Sequence, residues 1–267
     1  MDGTCKLCGN QKELRHSHIF PDFYIWSRQA WLKTGNHGVA HPHSFAVSTE
    51  MNSNDGWKQR NFWEKELGWK EYLLCGDCER RLGAHESYAR VFFYGNARPP
   101  LKKRSLGVVV PNMSRDFLET REVAINFPEL KLFQMSLLWR AGVATGKFYG
   151  NVHLRQKDEI RLRHFLLHGN PGSETDYPCA VFDLRSLAVE FEGYSEKPTR
   201  SRDDHGQRNY RIIVGGYAFL YCASSAPRSP MFFDFCAKRN GTMLMPVIRG
   251  DLFLQRCAAR LKKAKKL

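Results

Sequence analysis

Two short cysteine turns, Cys5-Lys6-Leu7-Cys8 and Cys75-Gly76-Asp77-Cys78, constrain this chain more than any other feature. A CxxC turn puts two thiolates on one side of a tight loop, and two such turns supply the four soft ligands that tetrahedral zinc prefers. The competing use of cysteine is the disulfide, which needs an oxidising compartment. The opening Met1-Asp2-Gly3-Thr4-Cys5 has neither the basic start nor the apolar stretch of a signal peptide, so a cytoplasmic location is expected, where paired CxxC turns favour metal. Cys179, Cys222, Cys236 and Cys257 are dispersed among apolar neighbours and read as core cysteines.

The 267 residues, 42% of them apolar, suffice for a sizeable core in one or two domains. No membrane span is expected: the longest uncharged run, 212–227, contains Gly215-Gly216 and is shorter than the roughly 20 residues a spanning helix needs. The net charge of +14 is unevenly spread, with 13 Lys/Arg against 11 Asp/Glu in residues 1–100 and 28 against 16 beyond. A basic field of that kind favours nucleic acid or another anionic surface, through phosphate neutralisation and counterion release.

Periodicity and turn residues divide the chain. Residues 1–21 read as a cysteine knuckle and a short hairpin, with Gly9-Asn10 as a turn signal and Leu14 to Phe20 extended up to Pro21. Phe23 to Leu32 has near-helical aromatic spacing, Gly35 to Gly56 reads as a loop or irregular insertion, and Trp57 to Leu74 returns as strand into the second cysteine pair. An amphipathic helix follows from Cys78 to Phe93, with Leu82, Tyr88, Ala89 and Phe92 on one face, and Arg98-Pro99-Pro100 marks a linker. Beyond it, Leu106 to Pro111 reads as a strand and Leu130 to Val143 as a buried helix that Gly146 can end. Lys157 to His168 reads as a second helix, with Ile160, Phe165 and Leu167 inward. Strands are expected at Cys179 to Leu184, Leu187 to Phe191, Arg211 to Tyr221 and Met243 to Ile248, with a polar, mobile stretch from Glu196 to Asn209. The lysine-rich tail from Arg256 reads as a basic helix that either grips phosphates or solubilises the chain end.

The order CxxC, then His18 ahead of Ile19-Phe20-Pro21, then Leu73-Leu74-Cys75-Gly76-Asp77-Cys78-Glu79 opening a helix, resembles the HNH (ββα-metal, His-Me finger) endonuclease superfamily over roughly the first third of the chain. The resemblance implies an α+β fold: a zinc-stapled ββα-metal, treble-clef-like module over 1–100, with a long insertion at about 22–69, and a basic, mixed α+β part over 101–267 that positions substrate. It implies a metal-dependent hydrolase acting on phosphodiester bonds of DNA, double-stranded by preference, with a possible place in defence against foreign DNA. In that scheme Cys5, Cys8, Cys75 and Cys78 hold structural Zn²⁺, His18 is the base that activates water, and Glu79 with His16 or Glu86 holds a catalytic Mg²⁺ or Mn²⁺. The chemistry suits those residue types: imidazole accepts a proton near neutral pH, and a hard cation takes oxygen ligands or one imidazole.

The chain departs from the family pattern at several positions. Ser17 stands where the acidic metal ligand is expected, and Lys70 where an Asn orients the base. His16 can replace the former, being on the same side of an extended strand as His18, and Asn61 or another residue of the insertion the latter. Glu86, seven residues after Glu79 on nearly the same helix face, and its neighbour His85 can extend the metal site. His37, His41 and His43 fit no regular ligand spacing and read as loop residues, and the aromatics Trp26, Trp31, Trp57, Trp63 and Trp69 suit packing or base stacking. The rival reading is a zinc-finger module that binds nucleic acid without cleaving it, or an interaction subunit with partner proteins or a second copy of itself.

Overall fold

In the computed structural model, described over residues 1–21, 45–52, 56–63, 70–94, 118–185, 196–202, 206–223 and 230–248, the cysteine knuckle opens a three-stranded sheet. Its order is β1 (Asp2–Thr4), β2 (Gln11–His18), β5 (Lys70–Cys75), all antiparallel. β3 (Phe45–Asn52) and β4 (Gly56–Trp63) form a separate two-stranded hairpin, so part of the segment expected to be loop is extended and paired. The period-2 run Phe45, Val47, Thr49, Met51 in that segment, hidden among its Ser and Asn, is the strand signal.

Helix α1 (Gly76–Tyr94) starts directly at the end of β5. It buries Cys78, Leu82, Ala89 and Phe93, which follow one helical face, while Tyr88 and Phe92 lie at its margin. Asp77 and Glu79 sit in the first turn, where acidic side chains meet the positive end of the helix dipole.

A six-stranded sheet runs in the order β6 (Leu118–Ala124), β11 (Thr242–Ile248), β7 (Cys179–Asp183), β10 (Tyr217–Cys222), β9 (Arg208–Val214), β8 (Glu196–Arg202). β11 and β7 are parallel and the other neighbours antiparallel. The apolar run expected as one strand over Arg211 to Tyr221 is a hairpin: Gly215 and Gly216 take φ of 58° and 79°, the left-handed pair that a two-residue turn between twisted strands requires. The polar stretch 196–209 supplies β8 and the start of β9 rather than a mobile loop.

Helix α2 (Phe127–Val143) is the central post. Asn126 caps it by accepting from Glu129 N–H, Pro128 suits its first turn, and Leu130, Leu132, Phe133, Met135, Leu137, Leu138, Trp139 and Ala141 are all buried. It ends at Val143, with Gly146 instead preceding a 3₁₀ turn, Lys147–Tyr149. α3 (Gln156–His168) closes on Gly169 at φ 62°, and faces inward through Leu162, Phe165 and Leu166, leaving Ile160 56% exposed. A short α4 (Pro230–Asp234) precedes β11.

Phe219 meets Phe93 and Phe133 edge to face where α1, α2 and the large sheet converge, and Phe93 and Phe133 are tilted against each other. Tyr94 Oη donates to Gly215 O at 2.5 Å, Tyr217 Oη to Phe93 O at 3.0 Å and Tyr221 Oη to Gln134 O at 3.0 Å. One buried apolar cluster thus includes residues of both the first hundred and the rest of the chain. Among the described residues no helix is long and apolar enough to cross a membrane. The expected helix at 23–32, strands at 106–111 and 187–191, linker near 100 and basic tail lie outside the described residues.

Candidate functional site

The first CxxC turn is held by its own backbone. Gly9 N–H donates to Cys5 O at 2.8 Å with Gly9 at φ 79°, a conformation that suits glycine, and Cys5 N–H donates to Asn10 O at 2.9 Å. The second pair is brought to it by sheet pairing, since Leu14 faces Cys75 across β2 and β5 and Lys6 N–H donates to Leu73 O at 3.0 Å. As a result the four sulfurs of Cys5, Cys8, Cys75 and Cys78 lie within 4.8 Å of one another and can hold a metal ion. Cys8 Sγ and Cys75 Sγ are 3.9 Å apart, close to the ~3.8 Å edge of a tetrahedron with Zn–S bonds of about 2.3 Å. All-sulfur donors at that spacing are consistent with structural zinc.

The electrostatics of the quartet are uneven. Burial raises the Cys5 thiol, but hydrogen bonds with the backbones of Cys8, Cys75 and Leu7 outweigh it and bring the group down to about 7. The Cys8 and Cys78 thiols are pushed up, chiefly by burial. The knuckle is also braced from α3, where Arg163 Nε donates to Leu7 O at 2.7 Å, and from α1, where Lys12 pairs with Asp77 at 2.9 Å.

A register shift between Arg15 and His16 turns the end of β2. Ser17 becomes the fully buried residue, and its hydroxyl donates to the Glu79 carboxylate in the first turn of α1. His16 is left exposed, stacked on Tyr72 with ring centroids 5.0 Å apart. His18 closes the strand opposite Lys70, half-buried, with Nε2 shut off from solvent. Ser17 therefore touches Glu79 in the place where the family resemblance called for an acidic ligand.

Behind this strand end stands a residue from the other half of the chain. Arg140 of α2, its side chain 2% exposed, forms an ion pair with Glu86, donates from Nη1 to His18 O at 2.8 Å and from Nη2 to Ser136 Oγ at 3.4 Å. Its charge also bears on Glu79, whose carboxyl burial pushes up while the Ser17 hydrogen bond and Arg140 pull it down. The acid pair of α1 thus has a counter-cation within the protein, a guanidinium.

The residues expected to hold a catalytic divalent ion each have a protein partner in this arrangement. His16 sits on the exposed face with Tyr72, Glu86 is paired with Arg140, and Glu79 accepts from Ser17. His85 is also engaged elsewhere, its Nδ1 lying 2.6 Å from Glu129 of α2. Among the described residues the cysteine quartet is the one group of three or more potential ligands close enough to share an ion. Asn61 lies on β4 opposite Val47, and His37, His41 and His43 lie outside the described residues.

Arg140 escaped the reading of the sequence. Its signal was faint but physical: a lone guanidinium in the apolar run Leu137-Leu138-Trp139-Arg140-Ala141 has to find an acid inside the protein. Which acid it meets, 54 positions earlier in the chain, is a tertiary fact. No family model, curated protein or solved structure matches this chain.

Proposed function

We propose that this protein is an HNH-like endonuclease that acts on DNA phosphodiester bonds from a zinc-stapled strand–strand–helix module. The observation that carries the reading is the junction at the end of β2. The cysteine quartet sets β2 against β5 and the start of α1, so that His18 closes a strand beside the helix turn bearing Glu79, with Ser17 and Glu79 in contact. Zinc at the four thiolates would fix that junction by joining the knuckle to the strand–helix corner.

His18 then takes the proton from the attacking water, the task an imidazole performs near neutral pH. Lys70 stands directly opposite His18 in the β2–β5 register, which places a positive charge where a phosphate would approach. Arg140 and Glu86 act behind it: the guanidinium fixes the His18 carbonyl, and the carboxylate fixes the guanidinium.

A second reading has its own observation. The Arg140–Glu86 pair and the enclosed His18 Nε2 favour a module that keeps the nuclease shape and binds nucleic acid without cutting it. Supercoiled plasmid incubated with the protein in Mg²⁺, in Mn²⁺ and in cation-free buffer separates the two. The nuclease reading expects nicking by the wild type and a loss of at least about 10²-fold in His18→Ala, the lower end for removal of a general base. Binding with no nicking in any of the three buffers would overturn it and leave the binding module.

A further inference from the structure

The last strand of the large sheet carries a concentration of arginine that the strand–helix site does not use. β8 is the last strand of the six, and its register with β9 sets Arg200 opposite Tyr210, Arg202 opposite Arg208 and Thr199 opposite Arg211. Side chains alternate along a strand, so Arg200, Arg202, Arg208 and Tyr210 share one face. Arg200 and Arg202 are exposed, and no ion pair among the described residues engages either of them or Arg208. Like charges directly opposite on a sheet are destabilising, so the Arg202/Arg208 pair is a position that an external anion would relieve. Over 196–211 the sequence holds Lys197 and four arginines against Glu196, Asp203 and Asp204, the two aspartates lying outside the described residues.

This face is braced from its own side, the backing being the segment that precedes α3. Arg208 Nη1 donates to His153 O at 3.1 Å, Tyr210 Oη also donates to that carbonyl, and Asn151 Nδ2 donates to Pro198 O at 3.0 Å. The backing also joins the arginines to the His18 end of the small sheet. The 3₁₀ turn with exposed Lys147 lies beside β8, and the residues just before it, Thr145 and Gly146, give their N–H groups to the Glu71 carboxylate at 2.9–3.0 Å. Glu71 is the neighbour of Lys70, which faces His18. β3 also comes alongside β8, so the hairpin from the first hundred residues reaches the same edge.

We infer that the Arg200/Arg202/Arg208 face of the β8–β9 edge, continued by Lys147, is a docking surface for the phosphate backbone of a nucleic acid and leads it toward His18. The choice of polyanion rests on the function proposed above, and the complementarity is one of charge. Arg200 and Arg202 stand about 7 Å apart along the strand, so with Arg208 and Lys147 the cations make separate points along an edge, which suit a polyanion rather than one small anion.

The test is fluorescence anisotropy of a labelled DNA duplex with the full chain between 50 and 200 mM KCl. Arg200→Gln/Arg202→Gln is compared with Arg81→Gln/Arg90→Gln, an equal charge change on exposed positions of α1. Loss of two phosphate contacts is expected to reduce the slope of log K against log salt by about 2 and to weaken binding by about tenfold or more, while the α1 double variant binds like wild type. Equal losses in the two double variants, or no loss in the β8 variant, overturn the surface. So does the absence of any DNA binding, including the case in which only vesicles of anionic lipid are bound. Binding that depends on the β8 arginines with no nicking leaves this surface standing and removes the nuclease alone.

Discussion

Arg140→Met tests whether the first hundred residues and the rest are locked together through one buried charge. The substitution keeps a long apolar stem inside α2 but removes the guanidinium that meets Glu86, the His18 carbonyl and Ser136. Breaking one partner of a buried ion pair costs about 3–5 kcal/mol, because the remaining charge is left uncompensated. Glu86 is 22% exposed and can recover some hydration, which places the expected loss near the lower end, about 3 kcal/mol. At roughly 2–4 °C per kcal/mol for a chain of this size, the melting temperature should fall by about 10 °C. Arg140→Met/Glu86→Gln removes both charges of the pair and should recover most of the loss, as neutral replacements of buried pairs commonly do. The assay is urea denaturation of the wild type, both single variants and the double variant, analysed as a double-mutant cycle. A single-variant loss below about 1 kcal/mol, or a double variant no better than Arg140→Met, would refute the account of Arg140 as the counter-cation of α1.

Two further outcomes follow from the same structure. The purified protein should carry about one zinc per chain; Cys5→Ser/Cys75→Ser should carry almost none and melt well below wild type, because structural zinc supplies folding energy to the segment that binds it, a result checked by elemental analysis and thermal denaturation. Lys131, fully buried on α2 and donating to the carbonyls of Glu174 and Tyr177, is lowered to about 8 by loss of hydration from an ordinary value of 10.5. The unfolded chain therefore binds the extra proton between those values, so wild-type stability should fall as pH drops from 10.5 through 8; Lys131→Met should flatten that dependence and be the more stable form at pH 7, by up to about 2 kcal/mol after the lost hydrogen bonds, as measured by urea denaturation across that range.

What was legible in the sequence was local or covalently spaced. The CxxC turns fix their own geometry, and the helix beginning at the second pair follows from its amphipathic spacing, so the cysteine quartet and the β5–α1 corner could be read directly. The same holds for α2, whose apolar run leaves few alternatives to a buried helix. Side-chain direction at the end of β2 was not legible, because the shift between Arg15 and His16 depends on pairing with β5, and it decides that Ser17 rather than His16 meets Glu79. β8 was hidden for another reason. Its residues are charged because it is an edge strand, where lysine and arginine are favoured, and that composition imitates a loop.

Contacts from beyond residue 118 complete the geometry at His18. Arg140 holds its carbonyl from α2, Glu71 ties β5 to the turn ahead of Lys147, and Arg163 of α3 holds the carbonyl of Leu7 inside the first CxxC turn. The thiolates determine which strands meet, but they act at the far end of β2, where Leu14 faces Cys75, and four positions separate Leu14 from His18. A metal at the thiolates would therefore anchor one end of the pair, and the other end is set by an arginine whose partners come from α1 and β2 together. It follows that the position of the imidazole depends on the packing of α2, and that changes on α2 which leave the cysteines untouched can still move it.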